Sequence, residues 1–351
     1  MNSKNLITLT VFNSFSVLRA FVCTLFLVGA NLVLAAQGQV QFASLGDYPL
    51  ENGQTIRDCQ VGYRTFGQLN ADKSNAILFP TWYGGTSESL LSYVGEDQML
   101  DSTRYFVIIV DAFGNGVSSS PSTSTQQPGK SFPEFSIRDM VNAQHTLATE
   151  VLGLDHLYAV TGISMGGMQT YQWMASYPEF FDRAAPIVGS PRLTSYDGLV
   201  FELFQRIMNL CETEDCPEVT TAALMLEYVL GFTPAYRAQE TSAAALPELI
   251  TAIEEEARHY RLHDLLSQMR AISGHDLGDS FPAALATGEE HLTPQALIIV
   301  AEQDHLLLPT TTAAFARATG SKIITLDTNC GHYAFACEQK PISEAVRKFL
   351  M

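Results

Sequence analysis

The chain has 351 residues, of which 46% are hydrophobic, so it can bury the core of one large α/β domain or of two smaller ones. Its formal net charge of −17 and its pI of about 4.8 argue against nucleic acid as a partner, because phosphates demand basic patches. The same acidity does not identify a partner, since it is typical of a soluble surface.

The first 36 residues predict a secretory signal peptide that is not part of the fold. Lys4 and Arg19 are the only charged residues before residue 40, and a nearly unbroken apolar run from 20 to 36 is followed by small residues. An uncleaved anchor is the alternative, because a run of about 17 residues is at the lower limit for spanning a bilayer. We therefore expect a secreted or periplasmic protein with no membrane association after cleavage.

The cysteines fit export to an oxidising compartment. Cys211 and Cys216 are close in sequence, as are Cys330 and Cys337, which favours two short-range disulfides and leaves Cys59 as a free thiol. The sequence leaves open the alternative that all five are buried thiols. The cysteine and histidine spacings do not suggest zinc, and no metal or cofactor is expected.

Strands and helices alternate after the signal. Residues 44–75 read as short strands and turns with glycines between them. Short apolar runs predict buried strands at 76–80, 105–110, 157–161, 184–188, 296–300 and 322–326. Helical spacing predicts helices at 136–152 and 342–350. This alternation implies an α/β fold with a mostly parallel sheet covered by helices on both faces.

The pattern changes between about 195 and 285. Helical periodicity dominates there, and no apolar strand run occurs. We interpret this segment as a mostly helical insertion over the sheet. The sequence is therefore divided into a signal at 1–36, a first core segment at 37–194, the insertion at 195–285 and a second core segment at 286–351.

The residues around Ser164 form a Gly-x-Ser-x-Gly pattern between a predicted strand and a predicted helix. This order of elements is that of a nucleophile elbow, in which Gly162 and Gly166 leave the tight turn free of Cβ atoms. The helix N-terminus offers N–H groups and a positive dipole end to an oxyanion. The context predicts Ser164 as a nucleophile, and the alternative is an ordinary strand–helix turn.

A serine nucleophile needs a histidine base, and the base needs an acid to orient it. In a fold of this type the chain order is serine, acid and histidine. Asp304 follows a predicted strand on the same edge of the sheet as Ser164, with Glu302 and Asp327 as rival acids. His332 follows the last strand, so the sequence predicts a triad of Ser164, Asp304 and His332.

The oxyanion of an acyl-transfer reaction needs two backbone donors. One is the N–H of Met165, the residue after the nucleophile, and the other should come from the loop at 80–85 after the first core strand. The N–H of Trp82 is the first choice and that of Tyr83 the second. The Trp82 side chain can still pack in the core, since the donor is its backbone.

Five stretches resemble the homoserine O-acetyltransferase branch of the α/β-hydrolase superfamily. They lie at 63–70, 104–108, 137–141, 164–169 and 330–335. The resemblance implies an α/β-hydrolase fold in which the insertion forms a helical lid, and the same triad. It also implies that Arg206 holds a substrate carboxylate, although an ordinary surface arginine is the alternative. The sequence leaves the oligomeric state open, and the resemblance implies a homodimer as one alternative, because acyltransferases of this branch are commonly dimers.

Three departures from the acyltransferases surround the predicted acyl and acceptor pockets. Ile163 stands where they usually have glycine, the loop from Pro80 to Gly84 replaces their His-Ala-Leu-Thr-Gly, and Tyr333 replaces the aspartate after the catalytic histidine. Export would also separate the protein from acetyl-CoA, which is a cytosolic metabolite.

These departures favour a secreted serine hydrolase that cleaves an ester, thioester or amide of a small-molecule acyl substrate through an acyl-serine intermediate. Tyr83 and Tyr333 are the predicted substrate contacts besides Arg206. The first alternative is an O-acyltransferase with the same triad. The second is a non-catalytic binding protein on a hydrolase scaffold, for which the expected sign is the loss of a triad residue.

Overall fold

The computed structural model describes residues 38–278, 281 and 294–351, so the predicted signal peptide lies outside the described residues. The strands are β1 (Gln41–Pro49), β2 (Thr55–Phe66), β3 (Ala76–Pro80), β4 (Phe106–Val110), β5 (Leu157–Ile163), β6 (Phe181–Ile187), β7 (Gln295–Ala301) and β8 (Lys322–Leu326). They form one sheet in the order β1-β2-β4-β3-β5-β6-β7-β8. The pairs β1–β2 and β2–β4 are antiparallel, and the other pairs are parallel. This confirms the predicted mostly parallel sheet.

The helices are α1 (Ile137–Thr146), α2 (Met165–Ser176), α3 (Ser195–Met208), α4 (Pro217–Gly231), α5 (Pro234–Glu240), α6 (Leu246–Ala257), α7 (Leu262–Ser273), α8 (Thr310–Thr319), α9 (Ala334–Cys337) and α10 (Gln339–Leu350). Short 3-10 turns lie at Ser87–Tyr93, Gly129–Ser131 and Gly331–Tyr333. Two separate clusters of buried apolar side chains pack against the sheet. Strands such as β3 are buried along their whole length, as expected of parallel strands covered on both faces.

The insertion between β6 and β7 contains α3 to α7 in its described part. A capping box of Thr194 and Asp197 starts α3, because each residue's side chain accepts a hydrogen bond from the other's backbone N–H. Prolines stand in the first turn of α4, α5 and α6, where a missing N–H costs nothing. The predicted boundary at residue 285 lies outside the described residues.

Two elements differ from the sequence-based expectation. The segment 44–75 contains one long antiparallel hairpin of β1 and β2 rather than several short strands. Its glycines are compatible with the strands, since register shifts near Gly46 absorb the irregularity. The predicted helix at 136–152 is α-helical only to Thr146 and continues as a wider π-helical segment, Leu147–Val151.

The cysteines pair as predicted. Cys211 is bonded to Cys216 and Cys330 to Cys337, while Cys59 is a buried free thiol. Burial raises the pKa of Cys59 to about 12, so this thiol is not a reactive one. Over residues 38–278, 281 and 294–351, the helices are too short or too polar to cross a bilayer.

Candidate active site

Ser164 occupies a strained turn between β5 and α2. Its backbone φ of 56° and ψ of −118° lie outside the regions that residues other than glycine normally adopt. A Cβ on Gly162 would lie 2.1 Å from the carbonyl oxygen of Gly166, and a Cβ on Gly166 would lie 2.6 Å from that of Pro80. Both positions therefore require glycine, as expected of a nucleophile elbow.

The structure brings the three predicted triad residues together. The Oγ of Ser164 lies 2.7 Å from Nε2 of His332, and Nδ1 of His332 lies 2.7 Å from Oδ2 of Asp304. The other carboxylate oxygen of Asp304 accepts the N–H groups of Leu306 and Leu307, each at 2.9 Å. These two bonds orient the carboxylate toward the histidine ring. The rival acids, Glu302 and Asp327, are exposed at the surface.

The carboxylates near His332 favour its charged form. Burial alone would lower the pKa of this histidine, but the charge and hydrogen bond of Asp304 and the charge of Glu227 raise it above its ordinary value. An imidazolium at this position is therefore stabilised, which suits a base that must hold a proton during the reaction.

The loop that carries His332 is constrained by its own turn and by a disulfide. His332 lies in the 3-10 turn Gly331–Tyr333, and Gly331 has a φ of 62° that favours glycine. The disulfide between Cys330 and Cys337 closes the segment around this turn. The histidine is thus presented from a short loop with little freedom.

The residues predicted to supply the oxyanion donors line the same cavity as Ser164. Met165 is the first residue of α2, where the N–H group has no partner within the helix. In the loop after β3, the N–H of Thr81 is bonded to the carbonyl of Val110 at 3.0 Å, and that of Gly84 to Oε1 of Gln268 at 2.8 Å. Among the described residues, neither the N–H of Trp82 nor that of Tyr83 between them has an acceptor, so both predicted donors of this loop are free to face an oxyanion.

Two glutamines that sequence reasoning missed hold this loop in place. Gln169 on α2 donates to the carbonyl of Thr81 at 3.0 Å. Gln268 on α7 is fully buried and also donates to the carbonyl of Phe113 at 2.9 Å. Gln169 falls within one of the resembling stretches, but the sequence gives no comparable signal for Gln268, since only the fold brings α7 to this loop.

A cavity of about 460 Å³ opens at Ser164. Its lining includes the predicted Trp82, Tyr83, Met165 and Tyr333, and most of the other side chains are apolar. This volume suits a small ligand. The cavity therefore brings the predicted nucleophile, base and oxyanion donors to one enclosed space.

The structure does not bring Arg206 into this cavity. Its side chain is 76% exposed and bonds to Glu202 one helical turn earlier, at 2.7 Å. Phe204 and Met208 lie on the buried face of α3, and Arg206 lies between them in sequence, which directs it to the opposite face. Instead, Glu227 and Glu256 of the insertion line the cavity, and neither was predicted.

Comparison with known proteins agrees with the fold. Residues 77–338 match the protein family described as alpha/beta hydrolase fold. An acetylester hydrolase from Corynebacterium glutamicum superposes on the chain with a TM-score of 0.80 and 29% identity, covering 90% of this chain and 95% of that one.

Two relatives in sequence have different activities in their names. An ethyl acetate hydrolase of Pseudomonas veronii is 45% identical over 168 residues, which cover 47% of this chain and 48% of that protein. The match thus spans about half the length of this relative. A homoserine O-acetyltransferase of Chlorobaculum tepidum is 29% identical over 337 residues, covering 88% of this chain and 93% of that protein.

Proposed function

The chain belongs to the α/β-hydrolase family, and we propose that it is a serine hydrolase that cleaves small carboxylic esters through an acyl-serine intermediate. The observation that carries this proposal is the pair of 2.7 Å contacts that link Ser164 to His332 and His332 to Asp304 at the edge of a cavity. A nucleophile, a base and an orienting acid within hydrogen-bond reach are what acyl transfer to serine requires.

The acylation step follows from this geometry. Oγ of Ser164 attacks the ester carbonyl carbon while Nε2 of His332 takes its proton, and Asp304 stabilises the resulting imidazolium through Nδ1–H. The N–H groups of Met165 and Trp82 donate to the oxyanion. The bond between the acyl carbon and the alcohol oxygen then breaks, and His332 gives its proton to the departing alcohol.

Deacylation uses the same groups in the reverse sense. His332 takes a proton from water, whose oxygen attacks the acyl carbon, and the bond to Oγ of Ser164 breaks as the serine regains a proton. The products are a carboxylic acid and free enzyme. The chemistry of this cycle is complete with protein side chains and water.

An O-acyltransferase is the second candidate, in which an acceptor alcohol replaces water. The near full-length match to a homoserine O-acetyltransferase favours it. The departures that line the cavity, at Trp82 to Gly84 and at Tyr333, favour hydrolysis, as does the position of Arg206 outside it, since a homoserine carboxylate would have no arginine there.

The first test is burst kinetics with p-nitrophenyl acetate on the wild type and on Ser164→Ala. We expect a burst of nitrophenol and continued turnover in the wild type, and a loss of about 10⁴-fold or more in the variant, because no other side chain replaces the nucleophile. Turnover should be unaffected by added homoserine. Faster turnover with O-acetylhomoserine as product would make the protein a transferase, and the absence of both a burst and turnover in the wild type would contradict both candidates.

We also propose that the protein works outside the cytoplasm. The predicted signal peptide supports this, and the two disulfides are compatible with an oxidising compartment. In a secreting host, N-terminal sequencing should find the exported protein beginning near residue 36 to 39. Recovery of an intact N-terminus from the cytosol would contradict the proposal, whereas an intact N-terminus in the membrane fraction would favour the uncleaved anchor.

A further inference from the structure

The insertion contributes two carboxylates to the wall of the cavity that holds Ser164. Glu227 lies on α4 and Glu256 on α6, and both side chains are partly buried. The hydroxyl of Tyr333 donates to Oε1 of Glu227 at 2.9 Å, and that of Tyr228 donates to Oε2 of Glu256 at 2.7 Å. Within the described residues, the second oxygen of Glu227 accepts no hydrogen bond. One carboxylate oxygen is thus left to meet a ligand.

No lysine or arginine is among the described residues that line the cavity. Arg237 lies over the rings of Tyr228 and Phe232, 5.8 and 4.9 Å from their centroids, but it does not contribute to the lining. The other titratable lining groups are His332 and tyrosines, which are neutral or cationic at pH 7. The two carboxylates therefore set the sign of the charge that a bound substrate meets.

The negative charge of the carboxylates affects the pKa values of the tyrosines around them. Burial is the main cause that raises the pKa of Tyr260 and of Tyr333, and the charge of Glu227 raises both further. Burial likewise raises the pKa of Glu227, against the hydrogen bond from Tyr333. A positive charge placed in this part of the cavity would relieve both effects, whereas a second negative charge would increase them.

We propose that Glu227 and Glu256 make the cavity selective for esters that carry a protonated or quaternary amine, and against esters that carry a carboxylate. This proposal depends on the proposed hydrolysis at Ser164. A substrate ammonium group would meet a carboxylate oxygen of Glu227 and the tyrosine rings that line the cavity, a combination that binds cations in proteins. A ligand can reach the two carboxylates because they line the same cavity as Ser164. The proposal therefore does not depend on the acidic pair alone.

The test compares acetate esters of similar size and different charge. Acetylcholine is cationic, 3,3-dimethylbutyl acetate is its neutral analogue, and 3-acetoxypropanoate is anionic. A second set with the charge on the acyl side consists of ethyl esters of 4-(trimethylammonio)butyrate, 5,5-dimethylhexanoate and succinate. In one of the two sets, we expect wild-type kcat/KM to favour the cation over the neutral ester by about tenfold, and to disfavour the anion.

Glutamine variants separate charge from shape. Glu227→Gln and Glu256→Gln keep an oxygen that can accept the tyrosine hydroxyl, so the double variant should reduce the cation-to-neutral ratio of kcat/KM to about one. Glu254→Gln, at an exposed position on α6, is the matched control and should leave the ratio as in the wild type.

The outcomes distinguish this proposal from the proposed function. Hydrolysis of the neutral esters with no cation preference in either set, or a preference that survives in the double variant, would overturn the charge selectivity and leave the hydrolase intact. If a fluorophosphonate fails to label Ser164 and none of the esters is hydrolysed, the proposed function fails and this inference fails with it.

Discussion

His332 is the residue at which opposing electrostatic effects meet. The ring is buried, which disfavours its charge, yet Asp304 is bonded to one ring nitrogen and Glu227 lies close enough to act by charge alone. Glu227 lies in the insertion, 77 residues before Asp304 in the sequence. The base of the proposed reaction is therefore tuned by two separate parts of the chain.

The pH dependence of hydrolysis should reflect this raised pKa. The base acts in its neutral form, so kcat/KM falls as the pH falls through the pKa of His332 in the free enzyme. Because Asp304 and Glu227 raise that pKa, we expect the acid limb above the ordinary histidine value of 6.5. Removing the charge with Glu227→Gln should lower the pKa and move the limb to lower pH.

The measurement is a pH profile of kcat/KM with a neutral ester that does not itself titrate. Glu254→Gln serves as the control, since its exposed carboxylate lies on the same insertion and outside the cavity lining. An acid limb that stays in place in Glu227→Gln would mean that this carboxylate does not act on His332. A general loss of rate at all pH values would instead indicate a structural role only.

At the scale of the elements, the helices and strands that depend on residues adjacent in the chain could be predicted from the sequence. The elbow needs a strand, a helix and two glycines within a few residues, and all of these are adjacent in the chain. The buried strands can be recognised in the sequence as short apolar runs, because both of their faces are covered. Asp304 and His332 could be assigned because both follow predicted strands, and parallel strands end at the same edge.

The residues that were missed come from tertiary placement. Glu227, Glu256 and Gln268 lie on insertion helices, and the sequence does not say which helix faces reach the cavity. Arg206 is different, because the apolar spacing of α3 already directs it away from the buried face. Helical periodicity is therefore a better guide to the position of Arg206 than the resemblance is.

The loop carrying His332 allows a test at the scale of a single element. Replacing both Cys330 and Cys337 by serine removes the disulfide around His332 and should reduce kcat more than it reduces secondary structure. The expected loss of unfolding free energy is about 2–3 kcal/mol for a loop of this length, under the chain-entropy account. Circular dichroism, urea unfolding and kcat would be measured on the same preparation.

The second disulfide provides the matched control. Cys211 and Cys216 close a loop of similar length between α3 and α4, and neither residue lines the cavity. Its double serine variant should lose a similar amount of stability but keep kcat close to that of the wild type. Equal losses of kcat in the two double variants would show that the Cys330–Cys337 bridge has no special effect on the histidine loop.

At the scale of the whole molecule, the insertion and the catalytic loop form one packed unit. The end of α4 approaches that loop so closely that a Cβ on Gly331 would lie 2.6 Å from the carbonyl of Gly231. Thr233 donates to the carbonyl of Asn329 at 2.5 Å. The insertion therefore supports the position of the base in addition to covering the cavity. The homodimer that the resemblance implies stays a prediction.

A glycine at this junction tests whether the packing matters for activity. A Cβ on Gly231 would lie 2.5 Å from the ring of Tyr333, which is stacked on Phe232 with 4.4 Å between centroids, so the ring cannot move freely aside. We expect Gly231→Ala to displace the loop and to lower kcat/KM about tenfold or more, since small misplacements of catalytic groups are costly. The overpacking should also cost about 1–3 kcal/mol of unfolding free energy.

Gly198→Ala is the control for this change, because a Cβ there meets no atom within 4 Å and the residue lies inside α3. It should leave kcat/KM unchanged and add about 0.5–1 kcal/mol of stability through the better helix propensity of alanine. Steady-state kinetics and urea unfolding of both variants check the pair. If Gly231→Ala keeps wild-type kinetics while its stability falls, the insertion packs on the histidine loop without positioning it. A loss of activity beyond the loss of folded protein would instead assign the insertion a role in catalysis as well as in enclosing the substrate.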